Sequence, residues 1–224
     1  MRLSIIIPAL NEADNIAVTL ALLQAMRGNA EIILVDGGSV DATVRIAAPL
    51  VDRVIVTEAG RARQMNAGAK VANGATLLFL HADSLLPANA DEMIARALAA
   101  GALWGRFDVR ISGRHWMLPM IAWLMNQRSR WSGIATGDQG IFVDRCTFDR
   151  VGGFPDQPLM EDIAISTRLK VLSAPACLRA RIVTSGRRWE RHGVWRTIVL
   201  MWRLRWQYYR GADPRDLHSK YHGR

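Results

Sequence analysis

Four short β-branched runs constrain this chain more than anything else in it. Residues 3–7, 31–35, 53–57 and 76–80 each read as a buried strand of five residues, followed by polar or turn-forming residues. Helical patterns separate them. Asn11 caps a helix to about Met26 with Ile16, Leu20 and Leu23 on one face, and Ser39 or Asp41 caps a short one. Residues 61–72 and 87–99 complete the alternation. Strands that alternate with helices predict βαβ units and a parallel sheet covered on both faces. The 224 residues suit a single core. The expected class is therefore α/β, with a single Rossmann-like, mostly parallel sheet flanked by helices.

The second half is less regular. Residues 103–111 read as a strand, 115–127 as an apolar helix and 137–143 as a strand. A turn at 152–155 precedes a helix over 159–172 and a strand over 177–183. A final helix spans 191–210, and 211–224 reads as a polar, loosely ordered tail. This divides the chain into a domain over 1–190, an amphipathic helix over 191–210 packed on it, and the tail. Cys146 and Cys177 fit neither a disulfide framework nor a CxxC metal spacing. No apolar run reaches the roughly 18 residues of a transmembrane helix. The polar residues after position 7 argue against a secretory leader. A cytoplasmic location is expected.

In open α/β sheets ligands bind beyond the carboxyl ends of the strands. Three of those ends carry acids: Asn11-Glu12 after the first strand, Asp36-Gly37-Gly38-Ser39 after the second, and His81-Ala82-Asp83 after the fourth. One Asp before Gly is ordinary turn chemistry; three acidic strand ends together point to a site. Neither GxGxxG nor GxxxxGK[ST] occurs, which disfavours a dinucleotide dehydrogenase and a P-loop kinase. A diphosphate held without those loops needs another counter-charge. A divalent cation on a strand-end carboxylate supplies it, and Asp83 is the metal-ligand candidate.

These segments in order, Ser4 to Glu12, Val35 to Asp41 and Leu78 to Asp83, resemble glycosyltransferase family 2, which has the GT-A fold. Met160-Glu161-Asp162 and Arg187-Arg188-Trp189 match the later signatures, so the resemblance runs from about residue 3 to 190. The stretches 60–68 and 136–140 are similar to a small bacterial subgroup, the selenodomain-associated transferases. The resemblance implies an inverting hexosyltransferase with a nucleotide-diphosphate sugar donor, commonly UDP-linked, and a divalent metal, Mg or Mn. It implies that Pro8, Asn11 and Glu12 line the nucleoside pocket, that Asp36 contacts the base, and that Gly37 and Ser39 lie beside it. Arg63 and Asn66 would lie along the donor. Asp83 matches the second acid of the family's Asp-x-Asp motif, while His81 replaces the first.

Asp162 matches the family's general base, with Glu161 the adjacent alternative. The chemistry requires such a group, because a sugar hydroxyl is a weak nucleophile and a placed carboxylate can take its proton. The leaving diphosphate needs metal, Arg or Lys. Arg188 is the expected diphosphate contact and Trp189 an acceptor-stacking wall. Ser185 stands where the family's QxxRW signature has Gln. Asp138 and Gln139 are candidates for the donor sugar or the acceptor.

The formal net charge is +9. Residues 179–224 carry all of it, since Lys and Arg balance Asp and Glu over 1–178. That distribution argues against a nucleic-acid partner. On a helical wheel Trp195, Val199, Trp202 and Trp206 share one face, opposite Leu200, Leu204 and Tyr208, with Arg196, Arg203 and Arg210 between. One face would pack on the core. The other suits an anionic membrane, a second copy in a homodimer, or a lipid-linked acceptor. The membrane would be met through 194–210, at the inner face of the cell membrane. A sugar nucleotidyltransferase and a non-catalytic nucleotide-binding or membrane-docking module are the alternatives. The acceptor, a hydroxyl or a phosphate, is not identified.

Overall fold

A computed structural model describes residues 2–222. One eight-stranded sheet runs in the order β3-β2-β1-β4-β7-β6-β8-β5. Its strands are β1 (Leu3–Ala9), β2 (Ala30–Asp36), β3 (Arg53–Val56), β4 (Thr76–Phe79), β5 (Ser84–Leu85), β6 (Trp104–Ser112), β7 (Ile141–Asp144) and β8 (Ala176–Ser185). The first four strands by position, β3, β2, β1 and β4, are mutually parallel. Beyond β4 the sheet is mixed: β7 runs antiparallel to both its neighbours, and β6 pairs β8 in parallel. β1 and β2 are buried along their whole length. Such continuous apolar runs are what a sheet covered on both faces demands.

The helices are α1 (Ala13–Leu23), α2 (Thr43–Ala47), α3 (Arg61–Val71), α4 (Ala90–Ala99), α5 (Leu118–Ser132), α6 (Arg145–Arg150), α7 (Glu161–Leu172), α8 (Arg187–His192), α9 (Val194–Tyr209) and α10 (Pro214–His222). Leu20 and Leu23 of α1 and Ile94 of α4 pack on one face of the sheet; Met65 and Ala69 of α3 and Ile165 of α7 pack on the other. At Gly68 of α3 a side chain would strike Ile6, so α3 lies close against β1 only because that position is glycine. A third cluster joins β6, α5 and the start of α9 through Val109, Ile121 and Val194. A fourth holds α9 and α10 against α7 through Leu204, Leu217 and Ile163.

Not every buried carboxylate in this fold is a site candidate. Glu31, at the amino end of β2, is 2% exposed. It accepts from Ser4 Oγ at 2.6 Å, from the Gly74 N–H at 3.1 Å and from the Asn73 side chain. Burial pushes its pKa up, but those donors outweigh it and hold the carboxyl below the usual range. It fastens β1, β2 and the loop before β4 at the end of the sheet remote from the acidic strand ends.

Three expectations need correcting. The strand expected at 137–143 starts only at Ile141, because Gly137–Gln139 form a 3₁₀ turn. The single helix expected at 191–210 is two, broken at Gly193 with φ +82°. The tail is not loose: α10 occupies most of it, with Leu217 fully buried. Its last two positions, 223 and 224, lie outside the described residues.

Candidate active site

The carboxyl ends of β1, β2 and β4 lie side by side, since Ala9 pairs with Asp36 and Ile6 with Phe79. The loops after β1 and β2 are joined by side chains. Asn11 takes a left-handed φ of +53°, its amide oxygen accepts the Val40 N–H at 2.9 Å, and its own N–H donates to Ser39 Oγ at 2.9 Å. The Glu12 N–H donates to Thr43 Oγ1 at 2.8 Å. Asp36 is buried, and one carboxylate oxygen accepts the N–H groups of Gly38 and Ser39, each at 2.9 Å. Pro8 is buried within β1, and the Gly37 N–H donates to the Ala9 carbonyl at 2.9 Å.

Gln64 carries no signal in the sequence, yet it locks this corner. It is 3% exposed and donates to the carbonyls of Ala9 at 2.8 Å and Val35 at 2.7 Å. Its neighbours serve the scaffold. Arg63 is held between Glu58 at 2.7 Å and Asp156 at 2.9 Å. Asn66 uses its whole amide on the Phe154 backbone, donating at 2.8 Å and accepting at 3.0 Å.

The strand pairing also assembles a cluster of charges. Ser84 pairs with Thr184, which brings the residues after β8 beside Asp83. Arg187 thus lies 3.6 Å from Asp83 and 3.2 Å from Glu12. Glu12 also accepts from the Asn15 amide at 2.7 Å. Because β7 runs back against β4, the 3₁₀ turn before it meets His81, whose Nδ1 is 3.3 Å from Asp138. A side chain at Gly137 would collide with that imidazole. The Gly137 N–H donates to Asp162 at 3.0 Å, and the Ile163 N–H donates to the other oxygen at 2.7 Å. Burial raises the pKa of Asp138, but the His81 hydrogen bond, its charge and Arg61 more than offset this and hold the carboxyl low.

Asp162 opens α7 just after Met160, whose φ is +66°. A non-glycine residue there is strained by roughly 1–2 kcal/mol. Burial of Met160 with Leu204 and Leu217 holds it in place. The Glu161 carboxyl is buried and next to the Asp162 charge; together these push its pKa up to about 7, against the pull of Arg61. The folded state therefore binds a proton that the unfolded chain releases near pH 4.5. That contribution is intact below pH 4.5 and is lost as pH rises toward 7. Glu161→Gln should leave the melting temperature unchanged near pH 4 and raise it at pH 8, by up to ~3 kcal/mol of stability. Thermal melts across that range check it.

Three residues expected at the site have partners within the protein. The Arg188 guanidinium lies 3.5 Å from the Tyr221 ring centroid and donates to the Tyr221 carbonyl at 3.4 Å. Arg187, one position earlier, is the arginine beside Asp83. Trp189 is half-buried and packs against the cluster of β6, α5 and α9. Gln139 is fully buried, completes a capping box with Thr136 and donates to Asn126 at 3.4 Å. Arg61 is a further cation the sequence did not flag: although the residue reaches solvent, partial desolvation lowers its pKa, and the charges of Glu161, Tyr221, Asp138 and Asp162 raise it overall.

Among the described residues no three His, Cys, Asp or Glu side chains converge as a preformed metal cage. Asp83 at the end of β4 is 24% exposed at its side chain, and Glu12 at the end of β1 is 27% exposed. That suits a hard cation that takes one protein carboxylate and completes its shell from substrate phosphates and water.

The model of the family described as "Glycosyl transferase family 2" matches residues 4–152. The chain belongs to that family. It is a family 2 glycosyltransferase, and the GT-A expectation holds. The crystal structure of S. aureus TarS 1-349 in complex with UDP superposes with a TM-score of 0.67 at 18% identity, covering 83% of this chain and 60% of that one. The mannosyltransferase PcManGT from Pyrobaculum calidifontis, in complex with GDP-Man and Mn2+, gives 0.62 at 22% identity, covering 81% and 56%. At those identities the likeness concerns the fold. A glycosyltransferase of PGL/p-HBAD biosynthesis from Mycobacterium tuberculosis is 44% identical over 91 residues. That match spans 37% of this chain and 36% of the relative. Among the described residues no helix is long and apolar enough to cross a membrane.

Proposed function

We propose that this family 2 glycosyltransferase moves a sugar, with inversion, from a UDP-linked donor to an acceptor hydroxyl. The reading rests on one observation above the others: the loop after β4, with His81 and with Asp83 beside Arg187, meets through Asp138 the 3₁₀ turn whose Gly137 N–H holds Asp162. Solved neighbours bound to UDP and to UDP-GlcNAc support the choice of nucleotide.

The nucleoside sits against the joined loops of Pro8, Asn11, Glu12, Asp36, Gly37 and Ser39, and the diphosphate lies toward Asp83. Asp83 would hold a divalent metal there, Mg or Mn, whose charge weakens the bond to the leaving diphosphate. A solved neighbour's complex with Mn2+ supports this. Arg187 supplies a second positive charge on the same oxygens. Asp162 takes the proton from the acceptor hydroxyl as its oxygen bonds to the anomeric carbon. The bond from that carbon to the phosphate oxygen breaks on the opposite face, so configuration inverts. Asp138 and His81 border the donor sugar. A thermal-shift screen of nucleotide sugars with Mg or Mn tests the reading, because ligands that bind the native state raise its apparent stability. A rise with UDP-sugars is expected; a rise with GDP-sugars alone would move the donor, and none with any nucleotide would reject it.

The outer stripe of α9 carries a second part of the proposal, peripheral docking on anionic membrane. Trp195, Val199, Trp202 and Trp206 are 54–72% exposed. Val194, Thr197 and Leu204 face inward. Arg196, Arg203 and Arg210 flank the aromatic stripe, the composition of an interfacial helix. Trp123 and Trp131 of α5, and Trp116 just before it, are exposed as well. Binding to anionic vesicles at low salt, lost on Trp202→Ser with Trp206→Ser, is the expected result. Folded protein that stays off the vesicles would reject it, and dimers in light scattering would then assign the stripe to a second copy.

A further inference from the structure

Two arginines beside the proposed base have no role in the reaction just described. Arg128 lies on α5 and Arg205 on α9. Arg128 Nε and Nη2 and Arg205 Nε are sealed from solvent and make no hydrogen bond. Neither guanidinium enters an ion pair among the described residues. Burial lowers the pKa of both, that of Arg128 to about 10, and the Arg205 charge adds to the effect on Arg128. The Asp162 charge opposes that lowering most strongly at each. Its oxygens already accept the N–H groups of Gly137 and Ile163. An unpaired buried charge is costly, and two of one sign in one place compound it.

The surrounding structure holds them there. Asn126 donates to and accepts from Val109, at 3.0 and 2.8 Å, and so pins α5 to β6. Leu204 packs with Met160 and Ile163, which brings the adjacent Arg205 up to the start of α7. This cation pair belongs to the half of the sheet around β6. The joined loops at the nucleotide end lie three strands away, at β1 in the order β1-β4-β7-β6. As whole residues Arg128 and Arg205 are only half-buried, so part of each stays accessible.

We propose that Arg128 and Arg205 seat a phosphate group carried by the acceptor, next to the hydroxyl that faces Asp162. The inference rests on the glycosyltransferase reading and names the acceptor's class. Two guanidinium groups match the charge of a phosphate, near −2, better than the single charge of a carboxylate, and can donate to its oxygens. The phosphate is bound, not transformed. Its source is a lipid headgroup or a soluble phosphate ester.

The test compares wild type, Arg128→Met and Arg205→Gln as full chains, using inorganic phosphate as the probe in thermal shift. Phosphate should stabilise the wild type, and each variant should need about tenfold more or higher for the same shift. In phosphate-free buffer Arg128→Met should melt no lower than wild type, because it removes an unpaired buried charge; a purely structural arginine would give the reverse. Nucleotide-sugar shifts should survive in both variants, which separates this claim from the donor reading. Vesicles of phosphatidylcholine with phosphatidic acid identify the source: weaker binding by the variants assigns a lipid phosphate, unchanged binding a soluble one. A phosphate shift absent from wild type, or equal in all three proteins, would overturn the proposal. If a variant fails to fold, Arg205→Lys keeps the charge without the fork and should show an intermediate loss.

Discussion

Replacing Asp162 with Asn should slow sugar transfer by ~10²–10⁴-fold while nucleotide-sugar binding stays close to wild type. The amide is nearly isosteric, and its single oxygen can keep one of the two backbone N–H bonds, from Gly137 or Ile163, that orient the side chain. What it cannot do is take a proton. The loss should therefore fall on kcat rather than on donor affinity, which is how removal of a group that acts only in the transition state reads out. Glu161 is the internal control. It is buried, its proton is held more tightly than a free carboxyl's, and it is a weaker candidate for a base that must be open to the acceptor. Steady-state kinetics beside a donor titration check this prediction. Full activity in Asp162→Asn would move the proton transfer elsewhere.

Asp83→Asn should be nearly as damaging, on the order of 10²-fold or more in kcat/KM. The side chain stands where β4 ends, beside Arg187. Losing its charge removes the strand-end carboxylate proposed to hold the cation, and leaves Arg187 paired with Glu12 alone. The diagnostic readout is metal dependence. In the wild type Mg or Mn should strengthen nucleotide-sugar binding, and in Asp83→Asn that increment should vanish. Because the Asp83 side chain is partly exposed, the variant should fold normally, and circular dichroism can verify that. An unchanged metal increment would detach the cation from Asp83.

The sequence made one half of this molecule legible and not the other. The parallel half is written in local patterns: β1, β2 and β4 are continuous apolar runs whose ends carry the polar residues, so strand, direction and site follow together. Past residue 100 the pairings are non-local. Whether Arg187 or Arg188 meets Asp83 depends on how α8 leaves Gly186 after β8 pairs with β5, a phase that no spacing reveals. Gln139 has the polar character of a site residue, yet its amide is consumed by a capping box. α10 looks like a tail because one leucine and one tyrosine carry its packing, and their partners come from α7, α9 and Arg188. Arg61, Arg128 and Arg205 read as surface cations on helical segments; that each of them feels the Asp162 charge follows from the packing of α3, α5, α7 and α9, which no local pattern reveals.

The most direct measurement is release of nucleoside diphosphate from a panel of UDP- and GDP-sugars, with wild type and Asp162→Asn run in parallel alongside donor binding. The expected result is release by the wild type from at least one UDP-sugar, dependent on Mg or Mn, with the Asn variant binding the same donor but releasing little. Neither binding nor release with any donor, or equal release by the two proteins, would contradict the proposed chemistry.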